Sequence, residues 1–114
     1  MDIEHCRREI AAIEALILGA LKDGPLHGYR IAQTIKAQSE GILKMGDNQI
    51  YPTLHRLELE GLVQAEWQIQ QGKPSRKVYS LTVSGQTRLA QKHIEWRRFA
   101  LMFSSAIGVE GSSA

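Results

Sequence analysis

Asp47-Asn48-Gln49-Ile50-Tyr51-Pro52-Thr53-Leu54-His55-Arg56-Leu57-Glu58-Leu59-Glu60-Gly61 and the Leu62-Val63-Gln64-Ala65-Glu66-Trp67-Gln68-Ile69 that follows decide the fold, because the hydrophobic period changes between them. In the first segment Ile50, Leu54 and Leu57 fall at i, i+4 and i+7, the spacing of one helix face. Asp47 or Asn48 can cap that helix, which runs to about Glu60 and is ended by Gly61. In the second segment Val63, Ala65, Trp67 and Ile69 alternate with Gln64, Glu66 and Gln68, the period of a half-buried strand. Gln70-Gln71-Gly72-Lys73-Pro74-Ser75-Arg76 is rich in turn formers, and Val78-Tyr79-Ser80-Leu81 returns as a second strand. The two strands and their basic loop read as a hairpin.

Working upstream, Ile10, Ile13, Leu16, Ile17 and Leu21 recur at helical spacing and predict an amphipathic helix over about 7–22. Asp23-Gly24-Pro25 stops it, since Pro25 cannot continue a helix and Gly24 tolerates the turn. Ile31, Ala32 and Ile35 predict a second, short helix over about 27–39, and Gly41 and Gly46 bracket the connector to the third. Downstream, Thr82 is placed to cap a long helix over about 83–107. The class is mainly α with a small β-hairpin. The order of three short helices, hairpin and long helix is that of a winged helix-turn-helix over 7–83, with a dimerisation helix over 84–107 in the same compact unit. Residues 108–114 are small and polar and read as a flexible tail.

A chain of 114 residues has room for one domain, and 43% apolar content supports a small core to which a dimer interface would add burial. The formal charge is only +2, but between Gln68 and Arg98 Lys73, Arg76, Lys77, Arg88, Lys92, Arg97 and Arg98 face a single acid, Glu95. A basic second half suits a protein that meets a polyanion with one surface. The lone cysteine, Cys6, excludes an internal disulfide and suits a reducing compartment; with no run of membrane-span length and no leader, the expected location is cytoplasmic. His5, Cys6, His27, His55 and His93 are scattered without metal-ligand spacing, and neither a phosphate loop nor a nucleophile motif is present. Neither catalysis nor a metal nor a cofactor is expected.

In a helix-turn-helix the second helix of the motif enters the major groove and its N-terminal residues meet base edges. With Ile50, Leu54 and Leu57 committed inward, Asn48, Gln49, Pro52, His55 and Arg56 are left outward. Asn and Gln match the donor–acceptor pair of adenine, and Arg matches the two acceptors of guanine. Tyr51 can give its hydroxyl to a phosphate. Pro52, about one turn into the helix, deletes a backbone bond and bends the helix start. Lys73, Arg76 and Lys77 supply the hairpin with cations for phosphate or minor-groove contact. The expected partner is double-stranded DNA. Singly, each of these residues also reads as a cap or a solvated face; their joint occurrence on a helix and an adjacent wing favours nucleic acid.

In the long helix Leu89, His93, Trp96, Ala100, Phe103 and Ile107 follow alternating steps of four and three, and Phe99 widens the stripe. That alternation is the signature of helix pairing, so a homodimer is expected, with part of the first helix, including Ile3, completing the interface. A dimer matches an operator with two half-sites. Trp96 has two readings: interface packing, or one of a pair of indoles stacking a flat aromatic effector.

Leu26-His27-Gly28-Tyr29, Ile50-Tyr51-Pro52-Thr53-Leu54-His55-Arg56-Leu57-Glu58 with Glu60-Gly61-Leu62, and Lys77-Val78-Tyr79-Ser80-Leu81-Thr82 with Gly85 together resemble the PadR family of transcriptional regulators. The resemblance spans roughly residues 10 to 100, and the block with Tyr-Pro inside the recognition helix is its specific part. It implies a winged-helix dimer that represses a nearby promoter and is released by a small molecule or another signal. It also implies that Tyr51, its outward neighbours and the wing contact DNA. The single C-terminal helix is similar to the compact branch of the family, in which some members hold flat aromatic drugs near a tryptophan. The competing reading is a winged helix used for protein–protein contact, without DNA.

Overall fold

The computed structural model describes the backbone of residues 3–108 and the side chains of residues 9–108. Helix α1 (Ile3–Ala20) leads into a two-residue strand β1 (Leu26–His27), helices α2 (Gly28–Gln38) and α3 (Asp47–Leu59), strands β2 (Val63–Gln70) and β3 (Lys73–Leu81), and the long helix α4 (Val83–Ala106). The three strands form one antiparallel sheet in the order β1-β3-β2. The element order expected of a winged helix-turn-helix with a following helix is present. The 109–114 part of the expected tail, and the side chains of Ile3, His5 and Cys6, lie outside the described residues.

The core sits where α1, α2, α3 and the root of the hairpin meet. Ile17, Leu18, Ile31, Leu54 and Leu57 are fully buried there, with Leu21, Ile35, Ile50, Leu62, Val63 and Tyr79 around them. Each such side chain contributes about 1.5–3 kcal/mol relative to exposure. The face of α1 is not quite the one its periodicity predicts. Ile10 is half exposed and Leu16 only partly covered, whereas Glu14 is buried. Apolar residues cover much of the α1 circumference, so spacing alone does not single out the inward face.

The hairpin departs from expectation in three ways. First, β1 adds a strand at Leu26 and His27, paired with Tyr79 and Val78, so α2 starts at Gly28 rather than His27. Two residues are too few to show alternation, which is why the pattern missed them. Second, the loop shrinks to Gln71 and Gly72, with Gly72 at φ +71°, because polar residues continue the ladder through their backbones. Lys73, Arg76 and Lys77 therefore stand on β3 and not in a loop. Pro74, which has no N–H for a ladder, lies opposite the register shift between Gln68 and Gln70. Third, Trp67 and Ile69 alternate as predicted but are exposed (69% and 87%), because the hairpin runs out past the core.

Where the wing returns to α4 the backbone is closely fitted. Thr82 caps α4 by accepting the Gly85 N–H at 3.0 Å, as its position predicts, and donates its hydroxyl to the Gly61 carbonyl at 2.6 Å. Gly85 has to lack a side chain, since a Cβ there would stand 1.9 Å from the Leu62 carbonyl oxygen. Gly85→Ala is expected to cost stability at or above the upper end of the roughly 1–3 kcal/mol of overpacking. That is a fall in Tm of roughly 10–20 °C for a domain of this size, read by thermal denaturation followed by circular dichroism.

Candidate nucleic-acid interface

The start of α3 is capped differently from the sequence expectation. Gly46 is the cap residue, Asp47 is already helical, and Gln49 reaches back so that its Oε1 accepts the Gly46 N–H at 3.3 Å. Asn48 is exposed and Gln49 partly covered; Tyr51, Pro52 and His55 are exposed on the same helix. Pro52 sits inside the helix, where its missing N–H removes the bond that the Asn48 carbonyl would accept. That carbonyl and the Asn48 carboxamide belong to one exposed residue at the tip of α3.

Tyr51 is placed by a residue at the start of the preceding helix, α2. Its ring lies over Gly28, where an added Cβ would meet the ring and hydroxyl at 2.6–2.8 Å. The Gly28 of Leu26-His27-Gly28-Tyr29 thus makes room for the Tyr51 of the recognition helix, a link between two motifs that spacing in the sequence does not reveal. His27 is held below its ordinary pKa by burial and by the nearby cations Arg76 and Arg30.

Arg56 is outward-facing at its tip but engaged. Its guanidinium donates to Glu60 Oε2 at 2.6 Å and to Glu14 Oε1 at 3.1 Å. Lys77 reaches across to Glu58 of α3 at 3.2 Å and stands 5.6 Å from the centre of the Tyr79 ring. Arg76 donates through Nε to Gln68 Oε1 at 2.8 Å, across the hairpin. Lys73 is exposed near the two-residue turn. The wing therefore leans on α3 through Lys77 and carries Lys73 and Arg76 further out. Sequence reasoning singled out all three cations but not the carboxylates that hold Lys77 and Arg56.

The missed residue is Glu14. It is 4% exposed, and Arg56 of α3 and Arg88 of α4 each approach it at 3.1 Å, with Lys92 of α4 at 3.5 Å. Burial works to raise its pKa, but hydrogen bonds from Arg88 and Arg56 and the charge of Lys92 outweigh this and hold the carboxyl below the ordinary range. The only clue in the sequence is an acid at i−3 and i−4 from Ile17 and Leu18, inside an apolar run.

Beyond Lys92, α4 leaves its expected stripe uncovered in the single chain. Leu89 packs on the core, whereas His93, Trp96, Phe99, Ala100, Phe103 and Ile107 are exposed. Trp96 meets Phe99 edge-on at 5.8 Å, and Phe99 stacks on Phe103 at 5.9 Å. Beside this row an apolar groove of about 770 Å³ opens between α1 and α4; Ala12, Ala15 and Gly19 line its α1 side, and Leu89, His93 and Trp96 line the α4 side. Among the described residues no helix is long and apolar enough to cross a membrane.

Residues 17–91 match the model of the transcriptional regulator PadR-like family. The negative transcriptional regulator PadR of Bacillus subtilis is 38% identical over 73 residues, which are 64% of this chain and 40% of that protein. Its crystal structure in complex with operator DNA superposes with a TM-score of 0.65 at 35% identity, over 70% of this chain and 45% of that one. The chain thus spans about two fifths of the length of that relative. A transcriptional regulator of Mycobacterium tuberculosis is 32% identical over 71% of this chain and 72% of its own length. A PadR-like transcription factor from Bacteroides fragilis has a TM-score of 0.79 at 25% identity and covers 92% of this chain and 99% of that one.

The depressed pKa of Glu14 sets a direction for acid stability. Its ion pairs contribute fully above the unfolded value of about 4.3 and are lost as pH falls through the lower folded value. The melting temperatures of wild type and Glu14→Gln are therefore expected to differ by a constant amount from pH 7 down to about pH 4.3 and to converge below it. Thermal melts across pH 3–7 check this.

Proposed function

Since the chain belongs to the PadR-like family of transcriptional regulators, we propose that it binds operator DNA as a homodimer and represses transcription, with a winged helix over 7–83 as the reader and 84–107 as the pairing helix. The observation that carries DNA binding is the polar front of α3, with Asn48, Tyr51, Pro52 and His55 exposed and Gln49 partly covered, together with a wing that leans on α3 through Lys77 and carries Lys73 and Arg76 further out. Asn48 and Gln49 read base edges, and Gln49 exchanges its bond to Gly46 for one to a base. Tyr51, Lys73 and Arg76 meet phosphates. Arg56 and Lys77, already ion-paired, hold the reading elements in place. That a relative is crystallised in complex with operator DNA supports DNA as the partner.

Pairing follows from the uncovered apolar surface of α4. The row Trp96, Phe99 and Phe103 is left exposed by its own chain and asks for a second helix to cover it. A second copy supplies such a helix and gives the two half-sites their two-fold relation. The test is titration of the chain against the duplex upstream of its own gene, at two salt concentrations. Affinity is expected to fall steeply with salt, by a slope of about −0.9 per phosphate contact. Replacing Lys73 and Arg76 with Gln should flatten that slope by about two contacts' worth and weaken all sequences alike, whereas Gln49→Ala should change the preferred bases. Phe103→Glu should sediment as a monomer and lose operator affinity. Absent or salt-insensitive binding refutes the reading.

The regulator is released by a small flat aromatic effector seated at Trp96. What supports this is the apolar groove of about 770 Å³ with the indole at its rim. Planar aromatic dyes are expected to quench wild-type tryptophan fluorescence in a saturable way, and a dimeric Trp96→Ala should lose that component. Quenching that survives in this variant reports the exposed Trp67 instead and removes the effector site.

A further inference from the structure

Glu14 touches neither the reading face nor the pairing stripe, yet it is the buried charge on which both elements converge. The α1 helix packs on both α3 and α4, and the described partners of its carboxylate are Arg56 from the one and Arg88 and Lys92 from the other. Its two oxygens divide the work: Oε1 accepts from α3, and Oε2 faces both cations of α4. A well-packed apolar residue would serve stability about as well as such a cluster. What an apolar residue does not supply is direction, because a carboxylate bonded through both oxygens accepts its donors from particular angles.

Resting on the reading above, we propose that Glu14 is a positioning residue for operator recognition: by clamping Arg56 and Arg88 it fixes the angle between the recognition helix and the pairing helix, and so the spacing of the two recognition helices in the dimer. The lever is long enough for this to matter. Asn48 lies eight residues along α3 from the clamped Arg56, an arm of about 12 Å, so a tilt of about 5° moves it by about 1 Å. Hydrogen bonds to base edges operate within about 2.7–3.2 Å and do not survive such a shift. A single half-site imposes no spacing and is indifferent to the tilt.

The experiment compares Arg88→Gln with Arg97→Gln. Both remove one positive charge from α4, but Arg97 is exposed and has no part in the cluster. Binding is measured to the two-half-site duplex and to a duplex carrying one half-site, at one salt concentration, with Tm and sedimentation checked for each variant. Arg88→Gln is expected to lose about tenfold on the two-half-site duplex relative to Arg97→Gln and to match it on the single half-site. Should Arg88→Gln unfold or dissociate, Arg88→Lys keeps the charge and stem, and the same selective loss is expected at several-fold. Equal affinities for the Arg88 and Arg97 variants on both duplexes, or parallel losses on both, overturn the positioning role. Failure of the wild type to bind either duplex would refute the DNA-binding reading itself.

Discussion

A carboxylate cannot be buried uncompensated, and Glu14 is compensated by cations from two other helices. Arg56 reaches it from α3, and Arg88 and Lys92 reach it from α4. Removing a charge from a buried cluster leaves the remaining charges to be resolved by water or movement, so the three helices are tied to one another at this point. The tie is asymmetric. The arginines keep roughly a third of their side-chain surface in water, whereas Glu14 has almost none, so the acid depends on the bases more than they depend on it.

The wing is fastened by the same logic with weaker parts. Lys77 bridges to Glu58 on α3 while its stem lies near the Tyr79 ring, and both partners are about one third exposed, so this pair contributes at most about 1 kcal/mol and serves mainly to orient. The root of the wing is more rigid. Thr82 joins the Gly61 carbonyl to the Gly85 amide, and the backbone of α4 passes so close to Leu62 that only glycine fits. A stiff root with a basic outer end suits phosphate contact, in which each Lys or Arg that neutralises a phosphate releases counterions from the DNA. The aromatic row on α4 is exposed in the single chain, an apolar patch of the kind that marks an interaction surface.

Much of this was legible in the residues. Ile50, Leu54 and Leu57 at helical spacing, the switch to alternation at Val63, and Thr82 before a long stripe carry the element order, because each is a local signal. The two-residue β1 was not legible, because it is defined by pairing with Tyr79 and Val78 far along the chain. Trp67 and Ile69 look half-buried by period, yet how far a hairpin projects beyond its core is a tertiary property. The residues proposed to read DNA were singled out by type, whereas the contacts behind them, Gly28 under Tyr51 and Glu14 behind Arg56, were hidden. Both are contacts between residues more than 20 positions apart, to which periodicity is blind.

In the proposed complex two copies of this chain present their α3 helices and wings to one duplex with a fixed spacing. Hydroxyl-radical footprinting of the wild-type chain on the DNA upstream of its gene tests it most directly. Two protected segments related by a two-fold axis are expected, with centres about 34–36 Å or a multiple of that apart, and backbone protection extending outward where the wings reach. A single protected segment without two-fold symmetry, or uniform protection that does not depend on sequence, would contradict it.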